Sequence, residues 1–285
     1  MVVCTFNVNS VRVRMPLLAE WLKRREGAAI PAEGLATPAD GSAIPADESV
    51  IPVQGGIDVL CLQEIKTVDE GFPFADFEAL GYKCEVYGQK AYNGLAVCSR
   101  IPLTDVVKGF GDDRWDAQKR IMSATAGGYR LINVYAPHGD ARGTEKFQYK
   151  LKWFDRLLAY ATETAGHYAK TIILGDFNVA MADADVYDPE VYRDAVSCMP
   201  EEREAFARLI DAGFADTVKH LYPDKTEFTW WPYTGGDFWK DKGMRIDYVT
   251  ATREALSGLK KAGIDRWPRK KKQPSDHAPL IAAFE

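Results

Sequence analysis

The sequence predicts an α/β protein, a four-layer α/β sandwich in which two packed, mostly antiparallel sheets are flanked by helices. Two observations support this prediction. Short apolar and β-branched runs recur from Val2 almost to the last residue, with turn residues between them. Amphipathic helical patterns alternate with these runs, and the clearest spans residues 144–164. At 285 residues, 46% of them hydrophobic, the chain is expected to form one domain over residues 1–285.

The expected strands and helices cover nearly the whole chain. Strands are predicted at residues 2–8, 57–63, 82–87, 94–99, 103–108, 121–125, 129–135, 172–174, 226–231, 245–250, 259–265 and 278–284. Helices are predicted after Ser10 and at residues 74–80, 144–164, 189–198 and 201–212. Residues 28–56 are rich in Ala, Pro, Gly and acids and nearly repeat themselves, which predicts a surface insertion.

Net charge, cysteine content and the length of apolar runs limit the class of protein but do not identify a binding partner. The net charge of −5 does not by itself indicate nucleic-acid binding. The basic run at residues 266–272 is either a solvated face or a phosphate-contacting loop, and both interpretations stay open. The five cysteines are expected to be buried free thiols in a reducing compartment. With no signal segment and no membrane-length apolar run, the chain is expected to be cytoplasmic, or nuclear in a eukaryote.

Four strand-like segments each carry an acid at one end. These acids are Glu64 after VLCLQ, Asp176 after TIILG, Asp247 in MRIDYV and Asp276 just before the last apolar run. One such acid is usually a turn former or a helix cap. Four of them, beside Asn178 and His277, are better explained by an open sheet that gathers carboxylates along one edge. The sequence therefore predicts a hydrolytic metal site.

The available ligand types favour Mg²⁺ or Mn²⁺. Hard divalent cations take oxygen ligands from carboxylates, amides and water. Glu64 and Asp276, helped by Asn7 or Asn9, supply such oxygens, whereas either asparagine alone is equally well explained as a turn former. The four histidines are scattered, which argues against a structural zinc site.

The remaining polar residues favour in-line hydrolysis of a phosphate ester. Asp176 and Asn178 alternate, so in an extended chain both side chains would point the same way and could orient a water molecule. Asp247 is a suitable partner to fix the tautomer of His277, whose imidazole could then contact a phosphate oxygen. Tyr135 ends its strand as the acids do and could assist the leaving oxygen. Because no serine or cysteine nucleophile lies in an elbow motif, acyl transfer is disfavoured.

The aromatic stretch before the RIDY segment has two interpretations. Phe228, Trp230 and Trp231 are most simply core residues. Strand alternation would nevertheless place the two tryptophans on opposite faces, so that one could present a stacking surface to a base or a deoxyribose.

Taken in order, the motifs FNVNSVRVR, LCLQEIK, NGLAV, NVYAP, GDFN, RIDY and SDHAPL resemble those of the exonuclease III family of abasic-site endonucleases. The resemblance runs from the first strand to the last and omits only residues 28–56. It implies that metal contacts, catalysis and DNA binding fall on residues at matching motif positions. For the metal these are Asn7, Asn9, Glu64 and Asp276; for catalysis Tyr135, Asp176, Asn178, Asp247 and His277; for DNA Arg12, Lys66, Trp230 and Met244.

Two positions depart from the family pattern. Met244 stands where some relatives carry a tryptophan that lines the pocket for the abasic sugar, and His138 stands where relatives often carry an amide. Both bear on substrate preference more than on the chemistry.

The resemblance implies a Mg²⁺- or Mn²⁺-dependent DNA repair phosphodiesterase that cuts 5′ to abasic sites, with an accompanying 3′-5′ exonuclease or 3′-end-cleaning activity. The expected partner is double-stranded DNA with abasic sites or blocked 3′ ends, and the expected state is a monomer without membrane contact. A phosphoesterase acting on inositol phosphates or sphingomyelin is the first alternative, since it would share the Glu64, GDFN and SDH features. A nucleic-acid-binding protein with a decayed site is the second, and the intact set of polar residues argues against it.

Overall fold

The computed structural model describes residues 1–27 and 56–285, and its strands form two six-stranded sheets. The strands are β1 Val2–Asn7, β2 Val59–Gln63, β3 Lys83–Tyr87, β4 Leu95–Ser99, β5 Thr104–Lys108, β6 Ile121–Ala126, β7 Tyr129–Tyr135, β8 Thr171–Asp176, β9 Phe214–Asp216, β10 Asp247–Thr252, β11 Leu259–Ile264 and β12 Leu280–Phe284. Sheet 1 has the order β11-β12-β1-β2-β4-β3, and sheet 2 has the order β5-β6-β7-β8-β10-β9.

Each sheet has one parallel pair at its centre. Strands β1 and β2 are parallel in sheet 1, and β7 and β8 are parallel in sheet 2. All other neighbours are antiparallel. The prediction of two mostly antiparallel sheets is therefore confirmed.

The helices lie outside the two sheets. They are α1 Val11–Arg25, α2 Phe74–Ala79, α3 Asp113–Asp116, α4 Glu145–His167, α5 Pro189–Tyr192, α6 Pro200–Asp211, α7 Thr217–Leu221 and α8 Arg253–Leu256. Thr144 begins α4 as predicted, because its hydroxyl accepts a hydrogen bond from the backbone N–H of Phe147.

Three apolar layers hold the sandwich together. Alternate residues of the central strands point to opposite faces, so Val59 joins the core between the sheets while Leu60 packs under the outer helices of sheet 1. On the other side, Trp153 of α4 and Phe206 of α6 cover Ile173 of β8. Because the central strands are buried on both faces, their sequences are almost continuously apolar.

Some expected elements differ from the observed ones. The predicted strand at residues 226–231 is wrong, because only Trp230 forms bridges, to Met244 and His277, before Pro232 follows. The predicted helix at 189–198 ends at Tyr192. Strand β9 and helix α7 were not predicted, since each is too short to show a period.

Two other expectations concern the insertion and the membrane. Residues 28–55, nearly all of the predicted insertion, lie outside the described residues. Among the helices of residues 1–27 and 56–285, none combines the length and apolar character that a membrane crossing requires.

The prediction of five free thiols is wrong for two of them. Cys84 of β3 and Cys98 of β4 lie directly opposite each other, with their Cα atoms 4.0 Å apart, and form a disulfide. The antiparallel register brings them together, and this register cannot be seen from a 14-residue spacing alone. Cys4, Cys61 and Cys198 are free and buried, as expected.

A pair of buried amides joins the two sheets beneath one edge. Gln63 Nε2 of β2 donates to Asn133 Oδ1 of β7 at 2.7 Å, and Asn133 Nδ2 donates to the carbonyls of Leu62 and Ala96. Both amides are fully buried. They fix the position of one sheet relative to the other, because a buried amide without partners is costly.

Replacing Asn133 should therefore destabilise the fold. We expect Asn133→Leu to lower the free energy of unfolding by about 2–4 kcal/mol, since it removes the hydrogen bonds that Asn133 makes with Gln63 Nε2 and with the carbonyls of Leu62 and Ala96. Urea denaturation measures the change. Gln148→Leu, at an exposed amide on α4, is the control and should have little effect. Equal stability of Asn133→Leu and wild type would contradict the assignment.

Candidate active site

The predicted polar residues meet at one edge of the sandwich. Strands β1, β2, β7 and β8 all end there, while β10 and β12 begin there because each is antiparallel to one of them. The C-terminal ends supply Asn7, Glu64, Tyr135 and Asp176, and the N-terminal ends supply Asp247, Asp276 and His277. We call this edge the polar rim.

The amide of Asn7 lies between two carboxylates that belong to different sheets. Its Nδ2 donates to Glu64 Oε1 and to Asp176 Oδ2, each at 2.9 Å. Its Oδ1 accepts the backbone N–H of Asn9 at 3.0 Å, which fixes the orientation of the amide. Asn7 therefore orients the carboxylates in this structure, and its oxygen is engaged in the turn.

A lysine ammonium occupies the other side of Glu64. Lys66 Nζ lies 2.8 Å from Glu64 Oε2 and 2.5 Å from Asn9 Oδ1. Burial alone would raise the pKa of Glu64, but hydrogen bonds from Asn7 and Lys66 outweigh it and lower the pKa. Glu64 is thus held as a carboxylate.

Asp276 completes this side of the polar rim. Its two oxygens accept hydrogen bonds from Asn9 Nδ2 at 3.0 Å and from Trp230 Nε1 at 3.1 Å. Burial works against ionisation, yet the charge of His277 and these hydrogen bonds lower the pKa of Asp276.

The donor set fits a hard divalent cation. Glu64, Asp276 and Asn9 offer carboxylate and amide oxygens, and two of those oxygens already surround a cation, the Lys66 ammonium. Asp176, Asp247 and His277 also bring three ligand atoms within 4.8 Å of one another. That second group is less suited to a metal, because His277 Nδ1 and Asp247 Oδ2 are already in hydrogen-bond contact with each other at 2.8 Å.

His277 lies between two carboxylates of sheet 2. Its Nδ1 is 2.8 Å from Asp247 Oδ2, and its Nε2 is 3.7 Å from Asp176 Oδ2. Burial would lower the pKa of His277, but the charges of Asp247 and Asp176 outweigh burial and raise the pKa to about 10. The ring is therefore an imidazolium whose orientation is set by Asp247.

Asp176 and Asn178 lie together, but not through an extended chain. Asn178 has φ 51°, so the chain turns there, and its backbone N–H donates to Asp176 Oδ1 at 2.8 Å. Asn178 Nδ2 donates to the carbonyl of Ala136 at 3.0 Å. The chain is therefore not extended at Asn178, so the condition under which the Asp176 and Asn178 side chains would point the same way is not met. Burial raises the pKa of Asp176 to about 7, although the charge of His277 opposes this.

Tyr135 reaches the polar rim from the end of β7. Burial raises the pKa of its hydroxyl far above the usual value, and the negative charges of Glu64 and Asp176 add to the effect. The guanidinium of Arg120 lies 4.8 Å from the centre of the Tyr135 ring. The hydroxyl is therefore a proton donor near the two carboxylates.

Of the residues predicted to contact DNA, Lys66 and Trp230 are bonded to carboxylates of the polar rim. Arg12 is exposed on α1, and Lys66 is held by Glu64. Trp231 is fully buried, whereas Trp230 is half-buried and packs with the buried Met244. The two tryptophans thus differ in exposure, although the segment is not a strand.

Sequence reasoning missed a buried ion pair below the polar rim. Lys150 and Glu202 are both fully buried, with Nζ and Oε1 2.5 Å apart. Lys150 Nζ also donates to the carbonyls of Asn178 and His138 at 2.7 and 3.0 Å, so it supports both loops that follow β7 and β8. The signal was present, because Lys150 falls on the apolar stripe of α4 between Phe147 and Phe154.

Comparisons with known proteins agree with this geometry. Residues 4–277 match the Endonuclease/Exonuclease/phosphatase family. Exodeoxyribonuclease III of Haemophilus influenzae is 34% identical over 240 residues, which are 80% of this chain and 90% of that protein. Two solved structures align with 100% of this chain and 99% of their own, each with a TM-score of 0.86. They are a 3′ phosphatase from Neisseria bound to product DNA hairpin, at 35% identity, and an AP endonuclease from Archaeoglobus fulgidus, at 30%.

The fold and the polar rim define a hydrolase in which two packed sheets share one site. The chain belongs to the endonuclease/exonuclease/phosphatase family and, within it, to the exonuclease III group. The resemblance drawn from the motifs is confirmed, as is the four-layer fold. The relatives also favour a hydrolytic nuclease over an enzyme of inositol phosphates or sphingomyelin.

Removing Lys150 should destabilise the protein strongly. We expect Lys150→Met to lower the free energy of unfolding by about 3–5 kcal/mol, because Glu202 would become a buried carboxylate without its partner. Urea denaturation measures this, and Lys152→Met, exposed on the same helix, is the control. The double variant Lys150→Met/Glu202→Leu should recover most of the loss. A single variant as stable as wild type would contradict the buried pair.

Proposed function

We propose that this enzyme hydrolyses the DNA backbone 5′ to abasic sites and leaves a 3′-hydroxyl. One observation carries the proposal: a buried Asp247–His277–Asp176 arrangement faces a cluster of oxygen ligands on the same polar rim. Such a site presents a charged hydrogen-bond donor, a proton acceptor and a cation site to a single phosphate.

The proposed attack uses water held by Asp176, whose carboxylate is oriented by Asn178. The Asp176 carboxylate accepts a proton from the water as its oxygen approaches phosphorus, and a pKa near 7 suits a general base at neutral pH. The backbone N–H of Asn178 keeps one carboxylate oxygen in place. The second oxygen is oriented by Asn7.

The developing charge and the leaving group are served by two other residues. The His277 imidazolium donates from Nε2 to a phosphate oxygen, while Asp247 holds Nδ1. The Tyr135 hydroxyl protonates the departing 3′-oxygen as the P–O bond breaks. Mg²⁺ or Mn²⁺ held by Glu64 and Asp276, with the amide oxygen of Asn9, would polarise a phosphoryl oxygen.

Selectivity for an abasic site follows from the surroundings of Trp230. The half-buried ring of Trp230 forms a small apolar patch beside Asp276 and packs on the buried side chains of Met244, Val186 and Ile246. An abasic nucleotide has no base to unstack, so it leaves the helix at low cost and can rest on such a patch. In this proposal Arg12 and Lys66 contact backbone phosphates, which would make binding depend on salt.

The proposed reaction can be tested directly. An end-labelled duplex with one tetrahydrofuran abasic analogue should be cut 5′ to the analogue in Mg²⁺ or Mn²⁺ and left intact in EDTA. Asp176→Asn should lose the activity. Degradation from the 3′ end of an undamaged duplex would mean that exonuclease activity dominates. If folded wild type cleaves no DNA, the proposed function is wrong.

Another test of the proposed reaction concerns Asp247. We expect Asp247→Asn to reduce kcat on the same duplex by about 10²–10⁴-fold, because His277 loses the carboxylate that orients it. Single-turnover cleavage in Mg²⁺ measures the change. Asp224→Asn, at an exposed carboxylate, is the control. An unchanged kcat would remove His277 from the proposed mechanism.

A further inference from the structure

The Cys84–Cys98 disulfide lies at an edge of sheet 1. Strand β3 is the last strand of that sheet and pairs only with β4 among the strands of residues 1–27 and 56–285. Cys98 is fully buried, whereas Cys84 is half-buried on the edge strand. The other three cysteines are free, so this bond is not part of a disulfide-rich scaffold. A single bond that is partly exposed on an edge strand is of the kind that exchanges with thiols most readily.

The disulfide closes the base of a hairpin. Strands β3 and β4 are joined by residues 88–94, and Cys84 and Cys98 pair near the end of the ladder that is remote from this loop. We call β3, β4 and the loop between them the edge hairpin. The bond makes residues 84–98 a closed ring, with a sequence separation of 14, so β3 cannot peel away from β4 at that end.

The loop of the edge hairpin is bonded to the segment that carries Glu64. The carbonyl of Gly94 accepts the backbone N–H of Ile65 at 3.2 Å. The carbonyl of Asn93 accepts the backbone N–H of Lys66 at 3.0 Å. The edge hairpin therefore supports the two residues that directly follow Glu64 at the polar rim.

The backbone around Glu64 needs this support. Glu64 has φ 50° and Lys66 has φ 53°, both in the left-handed region that residues with a side chain rarely adopt. Such conformations persist where neighbouring groups hold them. On the other side, the backbone N–H of Ser10 donates to the carbonyl of Glu64 at 2.8 Å. A looser edge hairpin would leave Glu64 held from that side alone, and its carboxylate would be less well fixed.

We propose that Cys84 and Cys98 form a reversible redox couple that controls how firmly the edge hairpin holds Glu64. The effect on cleavage rests on the proposed function, whereas the effect on the backbone rests on the hydrogen bonds alone. In the disulfide form, β3 is locked to β4 and the loop keeps its bonds to Ile65 and Lys66. In the dithiol form, β3 is an edge strand held by its ladder and its packing, so the edge hairpin opens more often.

The reductant is a dithiol, and its exchange with the protein balances. A thiolate of the dithiol attacks Cys84 Sγ, the S–S bond breaks, and the Cys98 sulfur leaves as a thiolate that takes up a proton. The second thiol of the reductant then displaces Cys84 from the mixed disulfide, and the reductant ends as a disulfide. Two electrons and two protons pass from the dithiol to the protein.

The test compares oxidised wild type with wild type reduced by dithiothreitol. Thiol titration in denaturant should count three thiols before reduction and five after it. Amide hydrogen exchange at Ile65 and Lys66 reports the bonds to the loop and needs neither metal nor DNA. Cys84→Ala cannot form the disulfide. Cys4→Ala is the matched control, because Cys4 is a buried free thiol in the same apolar layer as Cys98.

We expect reduction to speed amide exchange at Ile65 and Lys66 by about tenfold, because the closed ring no longer restrains the edge hairpin. The Mg²⁺ concentration that gives half-maximal cleavage of the abasic duplex should rise by about tenfold, as when a metal ligand loses its supporting contacts. Cys84→Ala should show both values of the reduced form, with or without dithiothreitol. Cys4→Ala should respond to dithiothreitol as wild type does.

Several results would overturn the inference. Equal exchange at Ile65 and Lys66 in the two forms would show that the disulfide does not act on the Glu64 segment. A response of Cys84→Ala to dithiothreitol would place the redox effect elsewhere in the protein. Faster exchange with an unchanged Mg²⁺ requirement would remove the control over Glu64. Wild type that cleaves no DNA in either form would refute the proposed function, while thiol counts and exchange would still decide the redox couple.

Discussion

Two side-chain contacts that cross from one sheet to the other define the polar rim. Asn7 of sheet 1 donates to Asp176 of sheet 2, and His277, just before β12 in sheet 1, is bonded to Asp247 of sheet 2. Each contact joins groups that would be costly to bury alone. These contacts form only when the two sheets are correctly positioned relative to each other. Once formed, they hold the sheets in that position. The proposed chemistry depends on that position, because the groups that would act on one phosphate come from both sheets.

The polar groups below the polar rim keep this position from shifting. Gln63 and Asn133 fix one sheet against the other in the middle of the apolar core. Lys150 fixes the loops after β7 and β8 against the helices of the outer layer. An apolar core alone is tolerant of small displacements, whereas buried hydrogen bonds are satisfied in few arrangements. The orientation of Asp176 at the polar rim thus depends on buried groups that lie below the rim.

The sequence predicted the local part of the structure and little of the long-range part. The acids could be placed because each follows or precedes a strand whose apolar pattern is visible over a few residues. The turn at Asn178 and the pairing of Cys84 with Cys98 depend on strand register, and no local pattern reports register. Gln63 and Asn133 meet across 70 residues, so neither reveals its partner. Residues 226–231 resembled a strand because their aromatic side chains pack inward, as those of a strand would.

The distribution of strands between the sheets also sets when the site is complete during synthesis. Sheet 2 uses β5 to β10 from the middle of the chain, while sheet 1 combines β1 to β4 with β11 and β12. The ribosome therefore makes Asp176 and then Asp247 before it makes Asp276 and His277. A nascent chain can form most of sheet 2 and still lack the imidazolium and one of the carboxylates. The unfinished protein cannot assemble the full set of groups while it is still attached to the ribosome and surrounded by RNA.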